Sequence, residues 1–215
     1  MKHLSLQLAR QQVALDLTPL PSERVPITGA AGRILAEPVI ADRDQPAFNR
    51  SAMDGYAVQA ADTVAPPVML KVVGVIAAGT NWPGTLKPGE AVKIMTGAPV
   101  PAGADAVQMV ENTHGGDSSV SILKSVTVGQ HIAPQGQDIR AGEAALVAGA
   151  VLTSSRLSLA WSFGAAEVTV YRRPRVAILT TGDELVELDE TPGPNQIRDS
   201  NRCALSDIVR RAGGE

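Results

Sequence analysis

Four apolar runs set the architecture of this chain: MLKVVGV (69–75), AVKIM (91–95), AVQMVE (106–111) and SVSIL (119–123). They are separated by turn signals rich in glycine and proline: TNWPG, LKPGE, VPAGAD and HGGD. Short β-like runs at such close, regular spacing are typical of a small antiparallel barrel or sandwich. We therefore expect a β domain over residues 46–137.

Helical periodicity flanks this β region on both sides. Apolar residues within 4–17 fall at helical spacing before Pro19, which predicts one helix. A second, short helix is expected over 29–36, with Thr28 as its N-cap. SSRLSLAWSFG (154–164) predicts a third helix, which the strand-like AEVTVY follows. The β region therefore looks inserted between two helical pieces that can pack together.

The C-terminal part of the sequence changes character again. RVAILTT (175–181) is a continuous apolar run, which predicts a strand buried on both faces of a parallel sheet. Asp199 or Ser200 can cap a following helix that ends at Gly213. One strand and one helix cannot close a parallel sheet, so we expect this chain to be the first part of a longer protein.

The composition excludes several classes of function. The 19 basic and 22 acidic side chains give a net charge of -3, so we expect no nucleic-acid binding. No apolar run is long enough to span a bilayer, and we expect no membrane insertion. Cys203 is the single cysteine, which excludes an internal disulfide and indicates a reducing, cytoplasmic setting.

FNRSAMDGYAV (48–58) contains an Asp-Gly pair beside apolar residues. The structural interpretation is a β-hairpin whose glycine adopts positive φ. The functional interpretation places Asp54 at a loop tip, where its carboxylate orients a ligand with Arg50 and Ser51 as nearby polar donors.

Two further loops carry candidate binding groups. KIMTGAPVPAGADAV (93–107) is a strand that runs into a loop stiffened by glycine and proline, whose backbone amides could cradle an oxyanion beside the Thr96 hydroxyl. GQDIRAGE (136–143) places Asp138 next to Arg140, as a charged substrate surface or as a plain hinge. A simple connection remains the alternative for both.

TTGDEL (180–185) follows the predicted parallel strand at the edge where open α/β sheets bind ligands. Asp183 and Glu184 could stabilise the first turn of a helix through its dipole. They could equally hold Mg²⁺ against a substrate phosphate. Asp199 and Ser200 of IRDSN (197–201) likewise suit either helix capping or binding.

In this order, SAMDGYAV, IMTGAPVPAGADAV, GQDIRAG, ILTTGDELVE and QIRDSN resemble the molybdopterin molybdenumtransferase family, which includes the C-terminal domain of gephyrin. The resemblance implies a mixed α and β, multidomain fold. Residues 1–45 and 138–171 would form an elongated dimerisation domain, with a small β-barrel-like domain inserted at 46–137. Residues 172–215 would begin an α/β molybdopterin-binding domain, and the chain would be the N-terminal half of a family member.

The resemblance also implies an activity in molybdenum cofactor biosynthesis. Adenylylated molybdopterin is hydrolysed in a Mg²⁺-dependent step that releases AMP, and molybdate is inserted. The family further implies a homodimer, with the enzyme that makes adenylylated molybdopterin as a possible partner. We expect the chain to be inactive without the rest of the site.

Two other functions remain to be weighed. The first is a non-catalytic scaffold of the gephyrin type, which would be favoured if Asp54 and Glu184 were buried in structural hydrogen bonds. The second is the related adenylyltransferase, which we rank last because the domain with SAMDGYAV has no place in that simpler enzyme.

By motif, the resemblance assigns catalytic roles to Asp54, Asp138 and Glu184, and metal binding to Glu184. The substrate-binding residues that it implies are Thr96, Gly97, Thr181, Gly182, Asp183, Asp199 and Ser200. In this assignment Asp183 caps a helix while Glu184 contributes to Mg²⁺ or pyrophosphate chemistry.

Overall fold

The computed structural model describes residues 5–15 and 17–215. Within that part of the chain the helices are α1 (Leu6–Leu15), α2 (Ser154–Ser162) and α3 (Ser200–Arg211). The strands are β1 (Ser22–Pro26), β2 (Val39–Ile40), β3 (Arg50–Ser51), β4 (Gly55–Val58), β5 (Val68–Ile76), β6 (Glu90–Ile94), β7 (Ala106–Met109), β8 (Thr113–Gly115), β9 (Ser119–Ile122), β10 (Ile132–Ala133), β11 (Ala144–Leu146), β12 (Glu167–Tyr171), β13 (Leu185–Val186) and β14 (Ile197–Arg198).

The chain divides into two compact units. The split unit comprises Met1–Val39 and Ala144–Glu215, and the inserted unit comprises Ile40–Glu143. None of the three helices described here is long and apolar enough to cross a bilayer.

A six-stranded sheet forms the inserted unit, in the order β7-β4-β6-β5-β9-β8. Its apolar residues alternate as a half-buried sheet requires, so that Val120 and Ile122 of β9 are fully buried while Ser119 and Ser121 are not. The β character predicted for this region is confirmed, while the compact unit spans Ile40–Glu143. The expectation of a purely antiparallel sheet is wrong, because β5 and β6 pair in parallel. The long connection over residues 77–89 permits that crossover.

The split unit is held by β1 and β12, which pair antiparallel from Ser22 opposite Tyr171 to Pro26 opposite Glu167. Its core includes the fully buried side chains of Leu35, Leu152 and Val170. Helix α2 begins after Thr153, whose side chain accepts a hydrogen bond from the Arg156 N–H. The three helices predicted near residues 4–17, 154–164 and 199–212 are confirmed, although Leu4 and Asp16 lie outside the described residues.

The helix expected over 29–36 is wrong. A 3₁₀ turn at Ile27–Gly29 takes the place of its start, and residues 30–36 contain no α-helix. The backbone pairs instead with distant segments: the N–H of Leu35 donates to Ala150 O at 3.0 Å, and that of Ala36 donates to Thr169 O at 2.9 Å. Tertiary hydrogen bonds thus override the local capping signal.

The strand expected over 175–181 is also absent from the described structure, and its residue Leu179 is 88% exposed. A strand needs a neighbour, and here the pairing is confined to the end of the chain. The N–H of Glu215 donates to Pro174 O at 2.9 Å, and the N–H of Val176 donates to Glu215 O at 2.8 Å. These two bonds have the pattern of a parallel pair, but they do not extend to the rest of 175–181.

Candidate functional site

Asp54 and Thr96 meet in the inserted unit. The backbone N–H and the Oγ1 hydroxyl of Thr96 donate to Asp54 Oδ1, at 2.6 and 2.8 Å. Both residues are exposed. Asp54 Oδ2 accepts no hydrogen bond from the residues that the structure describes. One oxygen of this carboxylate therefore serves the fold while the other is available to a ligand or to water.

The loop of Thr96 is fixed by its neighbour Gly97. The Gly97 N–H donates to Ser51 O at 2.8 Å, and its φ of 82° favours glycine. Ser51 is buried and its hydroxyl donates to Met53 O at 2.5 Å, so this side chain shapes the turn before Asp54. We expected Ser51 to donate to a ligand, but its hydroxyl proton is already used.

The hairpin interpretation of SAMDGYAV is wrong. Strand β3 pairs with β10, while β4 pairs with β6 and β7. Gly55 does not have a positive φ. It is required for another reason, since a Cβ at this position would lie 1.9 Å from the backbone oxygen of Gln108.

The contacts with Thr96 hold the pKa of Asp54 below its ordinary value, first through the Thr96 N–H and then through its hydroxyl. Because the pKa of Asp54 is lower in the folded state, its carboxylate stabilises the protein at a pH above its unfolded pKa. That contribution is lost as the pH falls through the folded pKa.

Replacing Thr96 with valine removes the hydroxyl donor to Asp54 and keeps the backbone N–H donor. We expect the Asp54 pKa to rise part of the way towards its ordinary value, measured by NMR titration of the carboxyl carbon. An unchanged midpoint would show that the hydroxyl bond is not made in solution.

Asp138 lies on an exposed loop of the same unit. Its backbone N–H donates to Gln45 O at 2.9 Å. Its carboxylate forms neither a hydrogen bond nor an ion pair with Arg140 or with any other residue in the described part of the chain. The side chain is therefore free for a ligand.

In the split unit, TTGDEL and QIRDSN lie against each other. Strands β13 and β14 pair in parallel, with Leu185 opposite Ile197. The Ile197 N–H donates to Glu184 O at 2.8 Å, and the Thr180 hydroxyl donates to Asp199 Oδ2 at 2.5 Å. Two motifs that are separate in the sequence thus form one site.

The Asp199 carboxylate is used inside the protein. Its Oδ1 accepts the Arg202 N–H at 3.1 Å and so caps α3, and its Oδ2 lies 3.2 Å from Arg202 Nε. The Thr180 hydroxyl is the main cause of a lowered pKa at Asp199. Of the two alternatives for Asp199, capping is observed, and substrate contact stays a prediction. Ser200 is the first residue of α3 and is exposed.

Thr181, Asp183 and Glu184 are exposed. The proposed helix cap at Asp183 is wrong, because a turn and β13 follow TTGDEL instead of a helix. The Glu184 carboxylate lies over Gly182, where a Cβ would come within 2.5 Å of Oε2. Gly182 thus makes room for this carboxylate, which accepts no hydrogen bond within residues 5–15 and 17–215.

A polar cavity of about 280 Å³ opens beside these loops, and Gly182, Glu187, Asp199 and Arg202 are among its lining residues. The Arg202 guanidinium forms a bidentate contact with the Glu187 carboxylate, at 3.2 and 3.3 Å. This contact links α3 to the segment after β13. Sequence reasoning missed Glu187 and Arg202. The available signal was that Arg202 lies one helical turn after the capping residue Asp199.

Residues 4–164 match the family model described as the MoeA N-terminal region, domain I and II. The chain belongs to the MoeA family. Molybdopterin molybdenumtransferase 2 of Mycobacterium tuberculosis is 45% identical over 193 residues, covering 88% of this chain and 48% of the relative. Molybdopterin molybdenumtransferase of Nostoc is 42% identical over 198 residues, covering 90% and 45%. The chain thus spans about half the length of these relatives.

Solved structures of the family confirm the fold. A molybdopterin biosynthesis MoeA protein of Pyrococcus horikoshii matches with a TM-score of 0.79 at 37% identity. The match covers 100% of this chain and 56% of the Pyrococcus chain. A second structure of the MoeA protein from this organism has a TM-score of 0.83 at 34% identity, with 91% and 53% covered. Both the predicted family and the mixed, multidomain fold class are confirmed.

In this MoeA-family chain, the candidate residues fall into two groups, one in each unit. Asp54, Thr96, Gly97 and Asp138 belong to the inserted unit. Thr181, Gly182, Asp183, Glu184, Asp199 and Ser200 belong to the split unit.

Proposed function

We propose that the protein acts in molybdenum cofactor biosynthesis as a molybdopterin molybdenumtransferase. The observation that carries the proposal is the set of exposed carboxylates with free oxygens on Asp54, Asp138 and Glu184, at family motifs of a MoeA-family chain. The proposed substrates are adenylylated molybdopterin and molybdate, with release of AMP. The complete site would include residues that follow the matched region in the relatives.

The residues around Glu184 fit a Mg²⁺ ion that is shared with the substrate, rather than one held by protein ligands alone. Within the described residues, no three His, Cys, Asp or Glu side chains are grouped as a metal site. Mg²⁺ is commonly held by one or two carboxylates together with substrate phosphates and water. Glu184 fits such a shared ion, which when bound would neutralise charge on the phosphates.

The other candidate residues would position the substrate and water. The Thr96 N–H and hydroxyl and the Gly97 N–H already donate inside the protein, so this loop would act by holding Asp54 in place. Asp54 Oδ2 and the Asp138 carboxylate would orient water or molybdate. In the split unit, Thr181 and Ser200 would offer hydroxyls to the substrate next to Glu184.

The scaffold alternative makes a different demand on the same carboxylates. It would be favoured if Asp54 and Glu184 were buried in structural hydrogen bonds. Within the described part of the chain, Glu184 is exposed without such bonds and Asp54 uses only one of its oxygens. The enzyme is thus the better supported proposal, and we extend it to a cytoplasmic homodimer that receives its substrate from the adenylylating enzyme.

The proposal can be tested by joining residues 1–215 to the part of the M. tuberculosis relative that follows the matched region. This joined protein should turn over adenylylated molybdopterin with molybdate and Mg²⁺. Glu184→Gln should lower turnover about tenfold or more, because it removes the charge that would hold the ion. Glu37→Gln is the matched control, since Glu37 is an exposed residue of the same unit. Loss of activity in both variants, or in neither, would remove Glu184 from the mechanism, and no turnover by the unmutated joined protein would contradict the proposed function.

A further inference from the structure

The segment 44–54 is hydrogen-bonded to two loops of the inserted unit, the loop of Thr96 and the loop 135–141. On one side, Ser51 O accepts the Gly97 N–H at 2.8 Å, which fixes the loop of Thr96. On the other side, the loop 135–141 is bound to residues 44–49 by several hydrogen bonds. The segment therefore sets where both loops lie relative to Asp54.

The carboxylate of Asp44 closes the second loop at both ends. Its Oδ1 accepts the backbone N–H of Ala141 at 2.9 Å, and its Oδ2 accepts Nε2 of Gln135 at 2.7 Å. These two donors, Ala141 first, hold the pKa of Asp44 below its ordinary value. A Cβ at Gly136 would lie 3.4 Å from Asp44 Cγ, so the loop also packs against this side chain.

Backbone N–H groups of the loop hold the rest of it in place. The N–H of Gln135 donates to Asn49 Oδ1 at 2.8 Å, and the N–H of Asp138 donates to Gln45 O at 2.9 Å. The Asp138 carboxylate, in contrast, takes no part in the hydrogen bonds that the structure describes. The loop is thus fixed through its backbone while its central carboxylate stays free.

We propose that Asp44 is a positioning residue, which holds the loop 135–141 closed so that the Asp138 carboxylate keeps one place relative to Asp54 and Thr96. This inference rests on the proposed function, because it assigns Asp138 to the ligand. Asp44 itself is occupied by Ala141 and Gln135, and it acts through the loop rather than on the substrate.

The first test uses the 215-residue chain and needs no activity. In Asp44→Ala, the backbone NMR order parameters of residues 136–140 should fall from about 0.85 to below about 0.6. Gln135→Ala removes one of the two side-chain contacts and should give an intermediate fall. Asp42→Ala is the control, because Asp42 pairs with Arg43 rather than with the loop. Unchanged order parameters in Asp44→Ala would overturn the proposal whatever the protein catalyses.

The second test is a double-mutant cycle in the joined protein described above. Asp44→Ala should lower turnover about tenfold when Asp138 is present and less than about twofold when Asp138 is replaced by alanine, because two residues that act as a unit are not additive. A merely structural role for Asp44 would give the same loss in both backgrounds. Gln135→Ala should behave as a weaker Asp44→Ala, and it provides a second cycle if the latter fails to fold.

The outcomes separate the two proposals. Equal losses in both backgrounds, with turnover by the unmutated joined protein, overturn the role of Asp44 alone. Absence of turnover by the unmutated joined protein overturns the proposed function and, with it, the assignment of Asp138 to a ligand. A mobile loop in Asp44→Ala together with a non-additive cycle supports both.

Discussion

Replacing Gly55 with alanine should destabilise the protein by about 3 kcal/mol, the upper end of the usual cost of overpacking a well-packed core. The new Cβ would lie 1.9 Å from Gln108 O and 2.9 Å from its carbonyl carbon. Gly55 is in β4, whose pairing with β7 places Gly55 opposite Met109. Neither backbone can move away without breaking the sheet.

The Gln108 side chain makes this site less able to relax. It is 1% exposed, its Nε2 donates to Lys124 O, and its Oε1 accepts the Met109 N–H at 2.9 Å. Displacing the Gln108 backbone would therefore strain or break buried hydrogen bonds as well.

Urea unfolding of Gly55→Ala can be followed through the fluorescence of Trp82, in a Trp161→Phe background that leaves a single tryptophan. Gly116→Ala is the matched control in the same unit, because a Cβ there meets nothing within 4 Å and its φ is not in the left-handed region. We expect the control to change the unfolding free energy by less than about 0.5 kcal/mol. Equal stabilities of the two variants would mean that β4 and β7 do not approach as closely as described.

Local sequence signals predicted the elements that depend on near neighbours. The helix α3 has a cap at Asp199 and a glycine after its end, so its limits could be read directly from the sequence. The alternating runs around Val120 and Ile122 likewise predicted strands. These elements are fixed by periodicity and by capping within a few residues.

The failures arose where the backbone partner is distant in sequence. The segment 29–36 has a capping signal, but its N–H groups bond to residues near 150 and 169. The apolar run 175–181 has the composition of a buried strand, but a strand forms only beside a neighbour. Composition can predict that a segment will pair, yet not which segment it will pair with.

The candidate site likewise contains residues that the sequence predicted and residues that only the structure shows. The motif order identified Asp54, Thr96 and Glu184, and the resemblance placed them in a family that is confirmed. Asp44 gave no such signal, because its role depends on hydrogen bonds to a loop that only the fold brings near. The residues proposed to contact a ligand lie in sequence motifs, whereas the residues proposed to hold them in place are found from the structure.

Replacing Leu35 with alanine should cost the split unit about 3 kcal/mol, the usual range for removing a buried leucine side chain. Leu35 is 0% exposed and belongs to the core with Leu152 and Val170. Its backbone is tied on both sides, since its N–H donates to Ala150 O at 3.0 Å and it forms an antiparallel bridge with Val170. The surrounding structure therefore cannot collapse easily into the cavity.

Ile34→Ala is the control for this prediction, because Ile34 is the adjacent residue and is 44% exposed. It should lose less than about 1 kcal/mol, since the isoleucine already contacts water. The three helices of the described chain all belong to the split unit, so the helical circular dichroism signal reports its unfolding in urea. If both variants lose the same free energy, the segment 29–36 does not lie in the core in solution. A helix there, as the capping signal alone predicts, would not require the bridge between Leu35 and Val170, so the difference between the two variants also tests that correction.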